Sequence, residues 1–158
     1  MKKTITYEEA LAKSAALCSI SEKCISDIQK KLVSWGINHE EGERIIARLL
    51  QEKYIDENRF ARFFVKDKHR FAKWGKAKIT HALNEKGISK ENISEALEQI
   101  EEEDYSDQLE TLLNAKLKSI KYKNEYDAKA KLIRFAIGRG FEYEAITTAL
   151  KKIEIPQP

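Results

Sequence analysis

Three glycines, Gly36, Gly87 and Gly140, each sit at the centre of one apolar pattern that the chain writes three times. Apolar residues stand eight and four positions before each glycine, one directly after it, and three more at nine, ten and thirteen positions beyond. The first copy is Ile28, Leu32, Gly36, Ile37, Ile45, Ile46 and Leu49; the second is Ile79, Leu83, Gly87, Ile88, Ala96, Leu97 and Ile100. The third is Leu132, Ala136, Gly140, Phe141, Ala149, Leu150 and Ile153. The glycines lie 51 and 53 residues apart, a period that stacked helical units produce. A chain patterned in this way is expected to work through an extended surface rather than a catalytic pocket.

Each glycine reads as a helix stop. A residue just past a helix end often takes the left-handed conformation, which glycine adopts cheaply, and the apolar residue after it packs back on the last turn. Leu32 with Ile37, Leu83 with Ile88 and Ala136 with Phe141 have that spacing. The next helix starts at once: Asn38 with Glu41 reads as a capping box, Ser89 as an N-cap, and Glu142 as a poor cap. A further helical segment precedes each glycine helix, over residues 7–20, 56–73 and 105–121. The only prolines are Pro156 and Pro158 in the tail, so nothing interrupts the succession. The expected fold is all-α: three tandem three-helix repeats over residues 1–53, 54–103 and 104–158, about nine helices without strands, stacked into an elongated, curved solenoid. A compact helical bundle with ordinary glycine stops is the alternative.

Net charge is only +3, yet it is unevenly placed. Residues 59–90 carry ten Lys/Arg against two acids, residues 91–110 nine acids and no base, and residues 111–139 eight bases against two acids. Two basic blocks around an acidic one point to a polyanion-facing surface and a separate acidic patch. Met1-Lys2-Lys3-Thr4-Ile5 imitates a secretory n-region, but Glu8 and Glu9 stand where its apolar stretch should begin. No run approaches a membrane span, and Cys18 and Cys24 read as reduced thiols, so a cytoplasmic protein is expected. His39, His69 and His81 form no zinc-binding spacing, no phosphate loop occurs, and the carboxylates lie in exposed charged segments. Neither enzyme, cofactor nor metal site is expected.

Residues 56–74 are the most readable stretch. With Asp56 as N-cap and ~100° per residue, Phe60, Phe63, Phe64, Phe71 and Trp74 share one arc. Arg59, Arg62, Lys66, Arg70 and Lys73 share another, largely across the helix, and Lys76 and Lys78 continue the charge. The aromatic arc is expected in the core, with a base-stacking platform as the alternative. The basic arc is expected to bind anions, since only Asp67 stands near its five cations; a solvated face is the alternative. The run Glu101-Glu102-Glu103-Asp104 reads as a solvated helix junction.

The stretch Tyr54-Ile55-Asp56-Glu57-Asn58-Arg59-Phe60-Ala61, then Phe64-Val65, then Gly75-x-x-x-Ile79-x-x-x-Leu83-x-x-Lys86-Gly87-Ile88 resembles the RecX family, regulators of the bacterial RecA recombinase. The likeness extends more weakly from about Ser21 to Ile153. It departs from the family pattern at Cys24, where a capping serine is expected, and in the third copy, which keeps only the periodicity. The resemblance implies an all-helical protein of three-helix repeats lying in the groove of the RecA–single-stranded-DNA filament. Such a protein opposes filament growth, ATP hydrolysis and strand exchange, with consequences for DNA repair and the SOS response, and has no catalytic residues or cofactor. By this analogy Arg59, Arg62, Lys66, Arg70, Lys73, Lys76 and Lys78 are the filament or DNA contacts. Arg59, beside Phe60, has the alternative role of bracing a helix junction. Lys116, Lys118, Lys121, Lys129 and Arg134 are secondary candidates. The expected partners are the RecA filament and single-stranded DNA, met by a monomer. A generic nucleic-acid-binding helical repeat and a scaffold with another partner are the competing readings.

Overall fold

A computed structural model describes residues 5–158. Met1 to Thr4, the start that imitates a secretory n-region, lie outside the described residues. Among the described residues there are nine α-helices and no strand: α1 (Tyr7–Ile20), α2 (Ile25–Ser34), α3 (His39–Gln51), α4 (Glu57–Asp67), α5 (Lys76–Glu85), α6 (Lys90–Leu97), α7 (Glu102–Ser119), α8 (Glu125–Gly138) and α9 (Tyr143–Leu150). A π-helical turn, Lys68–Ala72, continues α4. No helix among them is long and apolar enough to cross a membrane.

The helix stops follow from local hydrogen bonding. Gly36, Gly87 and Gly140 have φ of 77°, 80° and 94°. In each copy the residue after the glycine donates its N–H to the carbonyl five residues back: Ile37 to Leu32 at 3.0 Å, Ile88 to Leu83 at 3.1 Å and Phe141 to Ala136 at 3.1 Å. The glycine N–H donates three residues back, at 2.9–3.0 Å. These two bonds define the Schellman ending, and the paired apolar residues are buried in every copy. The following helices start as their caps dictate. Asn38 Oδ1 accepts from the Glu41 N–H at 2.8 Å, and Ser89 Oγ from the Asn92 N–H at 3.2 Å. The helix expected from residue 105 begins at Glu102, because Glu102, Glu103 and Asp104 stabilise the positive end of its dipole.

The described residues fall into two compact units, one running through Phe64 together with Leu83–Ala96, the other comprising Val65–Ala82 and Leu97–Pro158. In the first, α1, α2 and α3 pack against one another around Ala10, Ile28, Leu32, Ile45, Leu49 and Ile55. The motif at the start of α4 ties this unit together. Asp56 caps α4 through the Arg59 N–H (3.0 Å), and the Glu57 carboxylate accepts from the Ile25 N–H at the start of α2 (3.2 Å). Asn58 donates to Asn92 and Glu95 on α6 at 3.0 and 2.7 Å, while Phe60 and Ala61 are buried. Lys86 does the same work from the end of α5: its ammonium meets Asp27 at 3.0 Å, and its carbonyl accepts from Ser26 Oγ at 2.8 Å. Burial opposes the Asp27 charge, but the bonds from Lys86 and the Cys24 N–H outweigh it and hold that carboxyl below its usual range. Asp27 therefore closes the start of α2 where Cys24 replaces the expected serine. Both cysteines are free, with their thiols pushed up chiefly by burial.

In the second unit α7, α8 and α9 pack mutually, burying Leu109, Leu113, Leu132 and Ile146. Two bonds join the residues before α5 to the turn between α8 and α9: Gly75 N–H to Arg139 O at 2.7 Å and Ala77 N–H to Gly140 O at 2.9 Å. Backbones pass so closely here that side chains have no room. A Cβ on Gly75 would lie 2.4 Å from the Gly140 carbonyl, and one on Gly140 would lie 2.3 Å from Lys78 Cβ. Tyr105 pins the same junction. Its hydroxyl accepts from the Lys76 N–H at 2.9 Å and donates to the Glu142 carboxylate at 3.0 Å. Burial, with the Glu142 charge adding to it, pushes the phenol well above its ordinary range. Glu142 heads α9 without capping it through its side chain, being engaged by Tyr105 instead.

Candidate functional site

α4 sorts its side chains by which of them pack. Phe60, Ala61 and Val65 are buried, so at ~100° per residue the packed face centres near Ala61 and the cations fall roughly opposite it. The expected aromatic core is only partly realised. Phe60 is buried and Phe64 and Trp74 are half-buried, but Phe63 and Phe71 are exposed. Phe63 lies roughly 150° from the centre of the packed face at helical spacing, too far to reach it. Phe71 belongs to the π-helical turn, whose greater number of residues per turn takes residues after Asp67 out of the α-helical projection.

The candidate contacts separate accordingly. In the first unit, Arg59 serves the fold: its guanidinium pairs with Glu22 and donates to the carbonyls of Lys53 and Tyr54 at 3.1 and 3.3 Å. Arg62 is exposed on the same helix. The second unit holds the others. Lys66, Arg70 and Lys73 are exposed, whereas the Lys76 and Lys78 ammoniums are drawn over the rings of Tyr105 (4.6 Å) and Trp74 (4.7 Å). Lys68 also sits over Trp74, at 5.0 Å. Lys66, His69 and Arg70 line a cleft of about 330 Å³ with Gln99, Ile100 and Asp104. Arg70, Lys73 and Lys76 all stand near enough to His69 to act on it: burial is the main cause that lowers its pKa, Asp104 opposes, and these three cations lower it further.

Of the secondary candidates, Lys116 lies over Phe135 at 5.0 Å and Lys129 pairs with Glu125 at 3.3 Å. Lys121 offers its carbonyl to Lys131. Lys118 and Arg134 are exposed on α7 and α8. Sequence reasoning missed His69, which gains its place from Asp104 and Gln108 on a distant segment, and Lys68, which the π-helical turn brings over Trp74. Among the described residues, no group of three or more His, Cys, Asp or Glu is placed to hold a metal ion.

Arg59 yields a direct prediction. Arg59→Ala leaves two carbonyls and Glu22 without their donor and should cost about 2 kcal/mol. Arg59→Lys should recover little of it, because an ammonium cannot reproduce the planar fork. Urea midpoints of the two variants check this; unchanged midpoints would return Arg59 to the list of free surface cations.

Residues 56–97 match the second three-helix domain of RecX, and residues 102–150 match the third. The regulatory protein RecX of Clostridium tetani is 33% identical over 136 residues, covering 84% of this chain. That of Clostridium acetobutylicum is 33% identical over 149 residues, covering 90% of this chain and 68% of that protein. This chain belongs to the RecX family. It spans 62% of the length of the Clostridium tetani protein, less than two thirds of that relative. The fold is that of RecX from Lactobacillus salivarius, whose crystal structure matches with a TM-score of 0.80 over 92% of this chain and 95% of that one, at 19% identity. The third copy, which keeps only the bare periodicity, is thus a RecX three-helix domain as well.

Proposed function

We propose that this chain regulates the RecA recombinase by binding the RecA–single-stranded-DNA filament. It restrains ATP hydrolysis and strand exchange there, and through them DNA repair and the SOS response. One observation carries the reading: a member of the RecX family presents Lys66, Arg70 and Lys73 to solvent, with Asp67 the only acid between residues 59 and 84. These cations outnumber the nearby carboxylates, Asp67 and the Asp104 that lines the cleft with Lys66 and Arg70, and cations in excess repel one another and lower their energy on meeting phosphate or an acidic protein surface. The work is done by binding, so these residues are contacts and not catalysts, and no cofactor enters. Arg62, Lys118 and Arg134, exposed within their own units, add further positive charge. The protein acts in the cytoplasm as a monomer.

The test is the ATPase rate of preformed RecA filaments from the same organism as this protein is added. Inhibition at ratios well below one per RecA protomer is the expected result, because a ligand that spans or blocks a filament acts on many protomers. Absence of inhibition, with tight binding to bare single strands, would instead support a protein that merely competes for DNA. For about five neutralised phosphates that binding would weaken with a slope of log K against log salt near −3.5.

A further inference from the structure

We propose that Phe71 stacks on an unpaired nucleobase of single-stranded DNA, with Arg70 and Lys73 on the neighbouring phosphates. Phe71 is 80% exposed, yet the backbone that carries it is fixed. Within the π-helical turn Lys68 O accepts from the N–H groups of both Lys73 and Trp74. From outside, Gln108 Nε2 donates to His69 O at 2.5 Å and Arg139 Nη1 donates to Ala72 O at 3.3 Å. Lys73 closes the turn at φ 57°, ψ 43°, a left-handed conformation that strains a residue with a side chain. A wide, strained turn clamped at three carbonyls holds the ring outward, so stacking would cost it little freedom. Strain and π-turns of this kind gather at functional sites.

The charges around the ring choose its ligand. Three aromatic rings of the second unit are exposed among the described residues: Phe71, Tyr126 at 84% and Tyr143 at 62%. Tyr126 stands between Glu125 and Asp127, and Tyr143 between Glu142 and Glu144, carboxylates that repel phosphate. Phe71 stands beside Arg70 and two residues from Lys73, with no acid from residue 68 through 84. Aromatic faces bind bases of any sequence, and cations alongside track the backbone. The inference deepens the reading above by assigning the group that contacts bases, and its readout is separate from RecA.

The experiment measures affinity at low salt for a (dT)20 oligonucleotide and for an abasic strand of the same length, by fluorescence anisotropy. Phe71→Ala and Phe71→Leu are expected to weaken (dT)20 binding about ten-fold. Phe71→Trp should keep it, and all three variants should match the wild type on the abasic strand and in salt slope. Equal losses on both strands, no loss on either, or full affinity in Phe71→Leu would overturn the assignment. Wild-type protein that prefers neither strand would overturn it too, while the filament ATPase assay still decides the RecA reading. If Phe71→Ala keeps (dT)20 affinity but loses ATPase inhibition, the ring belongs to a protein contact and the base-stacking assignment falls.

Discussion

Gly140→Ala should lower the melting temperature by roughly 10 °C, and Gly87→Ala by only a few degrees. Both glycines occupy the left-handed region, at φ 94° and 80°, so alanine at either incurs about 1–2 kcal/mol of backbone strain. The surroundings separate them. A Cβ at Gly87 meets nothing within 4 Å, whereas at Gly140 it would lie 2.3 Å from Lys78 Cβ and 2.6 Å from the Lys78 nitrogen. Backbone cannot swing aside as the end of a long side chain can, so α5 must back away from the turn between α8 and α9. That movement stretches the Gly75-to-Arg139 and Ala77-to-Gly140 hydrogen bonds, each worth about 1 kcal/mol. With an overpacking cost of about 1–3 kcal/mol, the total reaches about 4 kcal/mol. Gly75→Ala tests the same contact from the other side without a left-handed φ, and should fall between the two. Circular-dichroism melts order the three variants; equal losses at Gly87 and Gly140 would mean that this close approach contributes nothing to stability.

The second large effect concerns activity. Reversing Lys66 and Arg70 together to Glu should raise the concentration needed for half-inhibition of the RecA filament ATPase by about 100-fold. Each reversal replaces an attraction with a repulsion, worth about 1.5 kcal/mol at an exposed site facing a polyanion, and 1.4 kcal/mol is a factor of ten. The fold should survive, because both side chains are exposed and line an open cleft. Lys129→Glu is the control: that ammonium already pairs with Glu125, so its reversal should change inhibition only a few-fold. A doubly reversed protein that melts normally and inhibits fully would show that Lys66 and Arg70 are a solvated face.

The three repeat glycines were legible because a Schellman ending closes within six residues; the stretch from Leu32 to Ile37, with the carbonyls of Leu32 and Val33, contains all the groups the motif needs. Asp56, Asn38 and Ser89 were legible for the same reason, since a cap bonds three residues ahead. The basic character of residues 59–90 was visible in composition alone. What sequence could not supply was the division of labour among those cations. Arg59 and Lys66 look alike along the helix, but only Arg59 has Glu22 and the two carbonyls of Lys53 and Tyr54, just past α3, waiting for it. The aromatic arc failed for a related reason. Helical spacing says which residues share a face, and the neighbouring segments decide which face is covered. Here they cover Ala61 and Val65 and leave Phe63 in solvent.

Sequence by itself determined the number of helices, the three glycine stops, the caps at Asn38, Asp56 and Ser89, and the placement of charge, because hydrogen bonds within one or two turns and residue spacing are enough for these. Tertiary structure alone decided the Gly75–Gly140 approach, the Tyr105–Glu142 bond, the bracing role of Arg59 and the outward ring of Phe71. Each depends on groups brought together from distant parts of the chain. The missing side chain of Gly75, or a carbonyl turned toward another helix, leaves no periodic mark in a sequence, and the repeat that contains Gly140 marks it only as a helix stop; the close approach exists only once two segments compete for the same volume.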